Sequence, residues 1–128
     1  MYRLKAYPTQ FELISTDKTD GDRPIWILDT EIEWSFYNDY DLLYNGKCPR
    51  GMTTDLGSIP RFLSSIVNGN DEWNIAYIIH DYMCQQKILT SDLAAECLYT
   101  ACEKFGCPSW KAYTIYFCVK HFGPKWSN

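Results

Sequence analysis

Between residues 31 and 37 the chain reads Glu-Ile-Glu-Trp-Ser-Phe-Tyr, which sets Ile32, Trp34 and Phe36 on one side and Glu31, Glu33 and Ser35 on the other. That two-residue period predicts a half-buried strand. Phe11 to Ile14 and Pro24 to Leu28 are two shorter strand candidates, and the polar run between them, residues 16 to 22, carries turn chemistry. Leu42 to Tyr44 lead into Asn45-Gly46 and then Lys47. Asn-Gly is favoured in two-residue hairpins, where both central positions need positive φ, so a hairpin is predicted there.

Past residue 54 the period changes. Ser58 is placed to cap a short helix running to about Val67, with Pro60 in its first turn and Asn68-Gly69 as its stop. Asn70, followed by Asp71 and Glu72, opens a helix to about Gln86, the acids favouring its N-terminal dipole. A third helix starts near Thr90 or Ser91: Ala94, Cys97, Leu98, Ala101 and Phe105 recur at helical spacing, and Gly106 ends it. A fourth is expected from about Pro108 to Phe122. Strands first and helices after, without alternation, predict an α+β fold: a small antiparallel N-terminal sheet packed against a C-terminal cluster of about four helices. One domain is expected over residues 1–128, strand-rich over 1–54 and helix-rich over 58–126.

Composition supports a folded chain. Apolar residues make up 46% and aromatics 16% of the 128 positions, enough for burial to offset chain entropy. The formal charge of −4 comes without a run of like charge, so general nucleic-acid binding is not expected. No stretch approaches the ~18 uninterrupted apolar residues of a membrane span, and Met1 to Gln10 lacks a signal-peptide core, so a soluble, unexported protein is expected. Six cysteines, at 48, 84, 97, 102, 107 and 118, include no Cys-x-x-Cys pair, and five lie in helical segments. They read as reduced thiols rather than a disulfide or zinc set.

The candidate chemistry lies where charge meets an apolar helix. From Ile75 to Cys84 the strongly polar side chains are His80 and Asp81, on a segment that is otherwise apolar nearly all round and therefore buried. Each needs a partner, because an unpaired buried charge is costly. Asp55, Arg61 and Asp92 are the obvious suppliers.

These residues belong to a wider pattern: Pro49, Gly51, Thr54, Asp55, Ser58, Ile59, Pro60 and Arg61, then His80, Asp81 and Tyr82, then Asp92, and finally Gly123 and Trp126. It resembles a family of small proteins of unknown function common in bacteriophages and prophages, domain of unknown function family 1353. Met52 stands where that family usually has an aromatic, Gly57 where it has a small residue such as alanine, and Ser91 where it has alanine. None of these departures removes a charged group. The resemblance implies a phage setting, in the host cytoplasm or the virion, more firmly than a reaction.

Two functional classes stay open. In the first, Asp55, His80, Asp81 and Asp92 hold a divalent metal such as zinc, manganese or magnesium. Arg61 and Ser58 then bind an anionic substrate, and Asp55, His80 and Asp81 serve hydrolysis of a phosphoester or amide. In the second, the same residues form a structural ion-pair network, with Ser58 a helix cap and Asp92 a first-turn acid. The protein then binds a host factor, of defence or otherwise, or a virion component through its many tyrosines and tryptophans. Tyr82, Tyr113, Tyr116 and Phe117 read as core, and His121 as a late-helix cation or partly buried histidine.

Overall fold

The computed structural model describes residues 1–21, 23–55, 59–63, 66 and 71–127, with Arg61 described in its backbone alone. The strands are β1 (Tyr2–Tyr7), β2 (Leu13–Asp20), β3 (Arg23–Leu28), β4 (Ile32–Asn38), β5 (Asp41–Cys48) and β6 (Thr53–Thr54). A 3-10 turn (Arg61–Leu63) leads to α1 (Asn74–Gln86), α2 (Ser91–Lys104) and α3 (Ser109–Phe122). Two antiparallel three-stranded sheets, ordered β1-β4-β5 and β2-β3-β6, thus precede the helices in an α+β arrangement. Of the short helix expected from Ser58 to Val67, Arg61–Leu63 form the 3-10 turn, Ile59, Pro60 and Ile66 are described but not helical, and the rest lies outside the described residues.

β4 follows its alternation. Ile32, Trp34 and Phe36 are buried while Glu33 is exposed. Burying side chains of this size contributes about 1.5–3 kcal/mol each. The sheet face they form is covered by helices, with α2 against β1 and α1 against β5. Between them lie Ile75, Tyr77, Ile78, Ile79 and Met83 of α1 and Leu98 of α2, all buried.

Two turn expectations are corrected. The β4–β5 hairpin turns at Asp39-Tyr40, because Asn38 pairs with Asp41 and Asp39 takes φ 51°. Asn45 and Gly46 instead lie inside β5, opposite Ser35 and Trp34. A Cβ on Gly46 would stand 2.6 Å from Trp34 Cζ2, so this glycine makes room for the indole ring rather than for a turn. The polar run 16 to 22 is also mostly strand: β2 continues to Asp20, with a register shift between Ser15 and Thr19, and the reversal falls at Gly21, φ 64°. Backbone pairing with β3 holds this edge strand whatever its side chains.

The expected start of α1 near Asn70 is corrected, since among the described residues the helix begins at Asn74 with no side-chain cap and no acid in its first turn, whereas other helix ends follow local chemistry. Thr90 caps α2, its Oγ1 accepting from Leu93 N at 3.2 Å. α1 ends at Lys87, in the left-handed conformation at φ 52°, with Ile88 N reaching back to Met83 O at 2.9 Å. Trp126 ties the end of the chain to the α1–α2 connection: its Nε1 donates to Leu89 O at 3.1 Å, and its own carbonyl accepts from Ser91 N at 3.0 Å. Among the described residues no helix is long and apolar enough to cross a membrane, and all six cysteines are free thiols.

Candidate functional site at the seam of β6 and α1

The segment beginning at Pro49 is fixed stepwise. Met52 N donates to Pro49 O at 3.1 Å, closing a turn with Gly51 at its third position and φ 89°, a conformation that favours glycine. The chain then runs beside β3: Leu28 N donates to Met52 O at 2.9 Å, and Trp26 and Ile27 pair with Thr54 and Thr53. Backbone bonding thus holds β6 on one side. On the other side it meets α1.

That contact is made by side chains. Thr54 Oγ1 donates to Asp81 Oδ2 at 2.5 Å, a short hydrogen bond of the charge-assisted kind. Gln85 Nε2 donates to the same oxygen at 3.0 Å and to Thr53 O at 3.2 Å. Asp81 and Gln85 stand four apart on α1, so they share a face, and together they clasp β6. Asp81 and Thr54 are both buried. Burial, with the Asp81 charge nearby, pushes the Cys48 thiol at the end of β5 up to about 12.

His80 is also buried, about 100° further round the helix. Burial lowers its pKa to about 4, so the ring is neutral at pH 7. Cys84, one turn on, places its Sγ 3.8 Å from both Nδ1 and Nε2. Equal distances set the sulfur off the lone-pair direction of either nitrogen, so this is a packing contact rather than an aimed thiol–imidazole hydrogen bond.

Asp55 follows Thr54 and is half-buried. It lines a cavity of about 330 Å³ with Thr19, Asp20, Ile25, Thr53, Thr54 and Gln85. Asp92 is exposed in the first turn of α2, where its charge helps raise the Lys120 pKa, behind the larger effect of Tyr116. Arg61 begins the 3-10 turn with its side chain outside the description, and Ser58 lies outside the described residues. Among the described residues no three His, Cys, Asp or Glu side chains gather as a group that could hold a metal ion. Thr54 and Gln85, the donors to Asp81, were not among the sequence candidates for donor roles; the four-residue spacing of Asp81 and Gln85 was the available signal.

The aromatic residues of α3 also depart from expectation. Its buried side is a narrow stripe of Ala112, Ile115 and Val119. Tyr113 and Phe117, expected in the core, are 54% and 44% exposed, and Trp110 and Phe122 are more so. His121 is exposed at the end of the helix, its ring 4.4 Å from that of Phe117.

Residues 32–119 match a family described as a protein of unknown function (DUF1353). The chain belongs to that family. The uncharacterized protein y4jT of Sinorhizobium fredii (strain NBRC 101917 / NGR234) is 36% identical over 81 residues, covering 62% of this chain and 24% of the relative. The chain therefore spans about a quarter of that relative's length. No solved structure matches the chain. The DUF1353 match takes in β4 to α3 and contains Thr54, Asp55, His80, Asp81, Gln85 and Asp92.

Proposed function

We propose that this chain is a non-catalytic binding protein that docks a protein partner through the outer face of α3, while Thr54, Asp81 and Gln85 staple the fold. The observation that carries the reading is the mismatch between what α3 offers and what the chain covers. A helix apolar on most of its surface is ordinarily enclosed. Here Trp110, Tyr113 and Phe117 remain exposed along one side. Ring contacts run from Tyr99 to Tyr113 at 6.5 Å, on to Phe117 at 6.4 Å and then His121, while Phe122 meets the exposed Phe62 edge-on at 5.7 Å. Aromatic surfaces of this kind anchor protein interfaces. A phage setting, which the family resemblance implies, makes a host factor or a virion component the natural partner.

The test is a binding comparison between the parent and a Trp110→Ser, Phe117→Ser variant, with retention of the fold checked by thermal melting. A partner recovered with the parent should bind the variant at least about tenfold more weakly at unchanged stability. Equal binding, or a variant that aggregates less yet loses no partner, contradicts the reading.

A second reading, the metal-dependent hydrolase, is favoured by one feature. Asp20 and Asp55 line the same cavity, with Asp81 clasped in the wall behind Thr54 and Gln85. In that reading Asp55 and Asp20 would meet the cation, which would polarise a phosphoester or amide oxygen. Calorimetric titration with zinc, manganese or magnesium, repeated on Asp55→Asn, separates the two: saturable binding lost in the variant supports the hydrolase.

A further inference from the structure

Among the described residues β1 is an edge strand, paired with β4 on one side only. Asp39 N donates to Met1 O at 2.7 Å, which fixes the phase of the ladder. With the register Arg3↔Tyr37 and Lys5↔Ser35, the hydrogen-bonded pairs fall at the odd positions of β1. The backbone N–H and C=O groups of Tyr2, Leu4 and Ala6 therefore point to the open edge.

A cavity of about 700 Å³ runs along that edge. It touches Tyr2, Arg3, Leu4 and Lys5 in succession, so it follows the strand's rim rather than one face. Its far wall is one side of α2: Glu96, Tyr99, Thr100, Glu103 and Lys104. An open strand edge facing a helix across a groove is the arrangement in which extended peptides add as an extra strand.

Charge selects among occupants. Arg3 and Lys5 lie on the face away from α2, both over the Tyr37 ring at 4.8 and 5.7 Å, and among the described residues neither is paired with a carboxylate. The acids across the groove are engaged with α3: Glu96 accepts from Tyr116 Oη at 2.7 Å and Glu103 from Ser109 Oγ at 3.4 Å. A second copy pairing antiparallel about Leu4 would set Arg3 directly opposite Lys5, and like charges so placed repel. Cations on an edge also guard against self-association, but a guard needs no groove beside it.

We propose that the β1 edge and the facing side of α2 bind an extended peptide as an added strand, with acidic side chains at every second position set against Arg3 and Lys5 and apolar ones between them turned toward α2. The surface is separate from the outer face of α3, so either can fail alone. At ~3.3 Å per residue, β1 accommodates a segment of about six residues.

The probe is the blocked hexapeptide of alternating Glu and Val, followed by calorimetry and by amide exchange of the parent protein. Saturable one-to-one binding is expected, with slowed exchange at Tyr2, Leu4 and Ala6. A Lys-Val peptide should bind at least about tenfold more weakly, as should the Glu-Val peptide N-methylated at its valines, which removes the ladder donors. The Arg3→Glu, Lys5→Glu protein should reverse the preference between the Glu and Lys peptides; if that variant does not fold, the N-methylated peptide still decides. Absence of saturable binding at millimolar peptide, indifference to N-methylation, protection mapping elsewhere, or self-association of the chain through β1 would each overturn the proposal.

Discussion

His80 shows how one buried side chain ties stability to pH. Its pKa is about 6.5 when unfolded and about 4 when folded, with burial as the cause. Between those values the unfolded chain holds the extra proton, so stability present above pH 6.5 is lost as the pH falls toward 4. The loss attributable to this ring is about 3 kcal/mol. Urea melts at intervals from pH 7.5 to 4 should show a His80→Gln protein losing less stability than the parent across this window. Parallel curves for the two proteins would mean that the imidazole protonates in the fold. At this scale the sequence was partly legible. That His80 and Asp81 are buried followed from the apolar run around them, whereas Thr54 as the donor to Asp81 depends on a fold that brings β6 to α1, which no local pattern encodes.

Single elements show where local rules govern and where packing overrides them. β4 kept its alternation because one face meets helices and the other does not. β1 carries the same alternation, with Leu4 buried between exposed Arg3 and Lys5, and could have been read from it. The start of β2 was among the strand candidates, but its continuation past Ile14 could not be read, since its polar side chains are mostly exposed on both faces and its pairing is a backbone matter. In β5 the Asn-Gly turn preference yielded to Trp34, whose ring occupies the space beside Gly46. Gly46→Ala should therefore force the indole or the strand to move, at a cost of about 1–3 kcal/mol. Thermal melting checks this, and near-ultraviolet circular dichroism should register the displaced tryptophan; an alanine tolerated without loss would place the ring elsewhere.

Across the whole molecule, the helix half covers one face of the β1-β4-β5 sheet and meets the strand half again at β6, which is held by β3 backbone on one side and by Asp81 and Gln85 on the other. The α+β class was legible because the hydrophobic period changes once along the chain. The exposed side of α3 was not, because an aromatic run reads the same whether a helix faces its own core or a partner. The central claim is that Asp81 fastens the fold rather than waiting for a cation, and thermal melts of the parent and of Asp81→Asn, in EDTA and in excess zinc, manganese or magnesium, test it most directly. Asp81→Asn should lose about 2 kcal/mol in chelator, as the charge-assisted bonds from Thr54 and Gln85 weaken, and the parent should melt at the same temperature with and without metal. A parent stabilised by one of these ions, together with an Asp81→Asn protein as stable as the parent in EDTA, would contradict it.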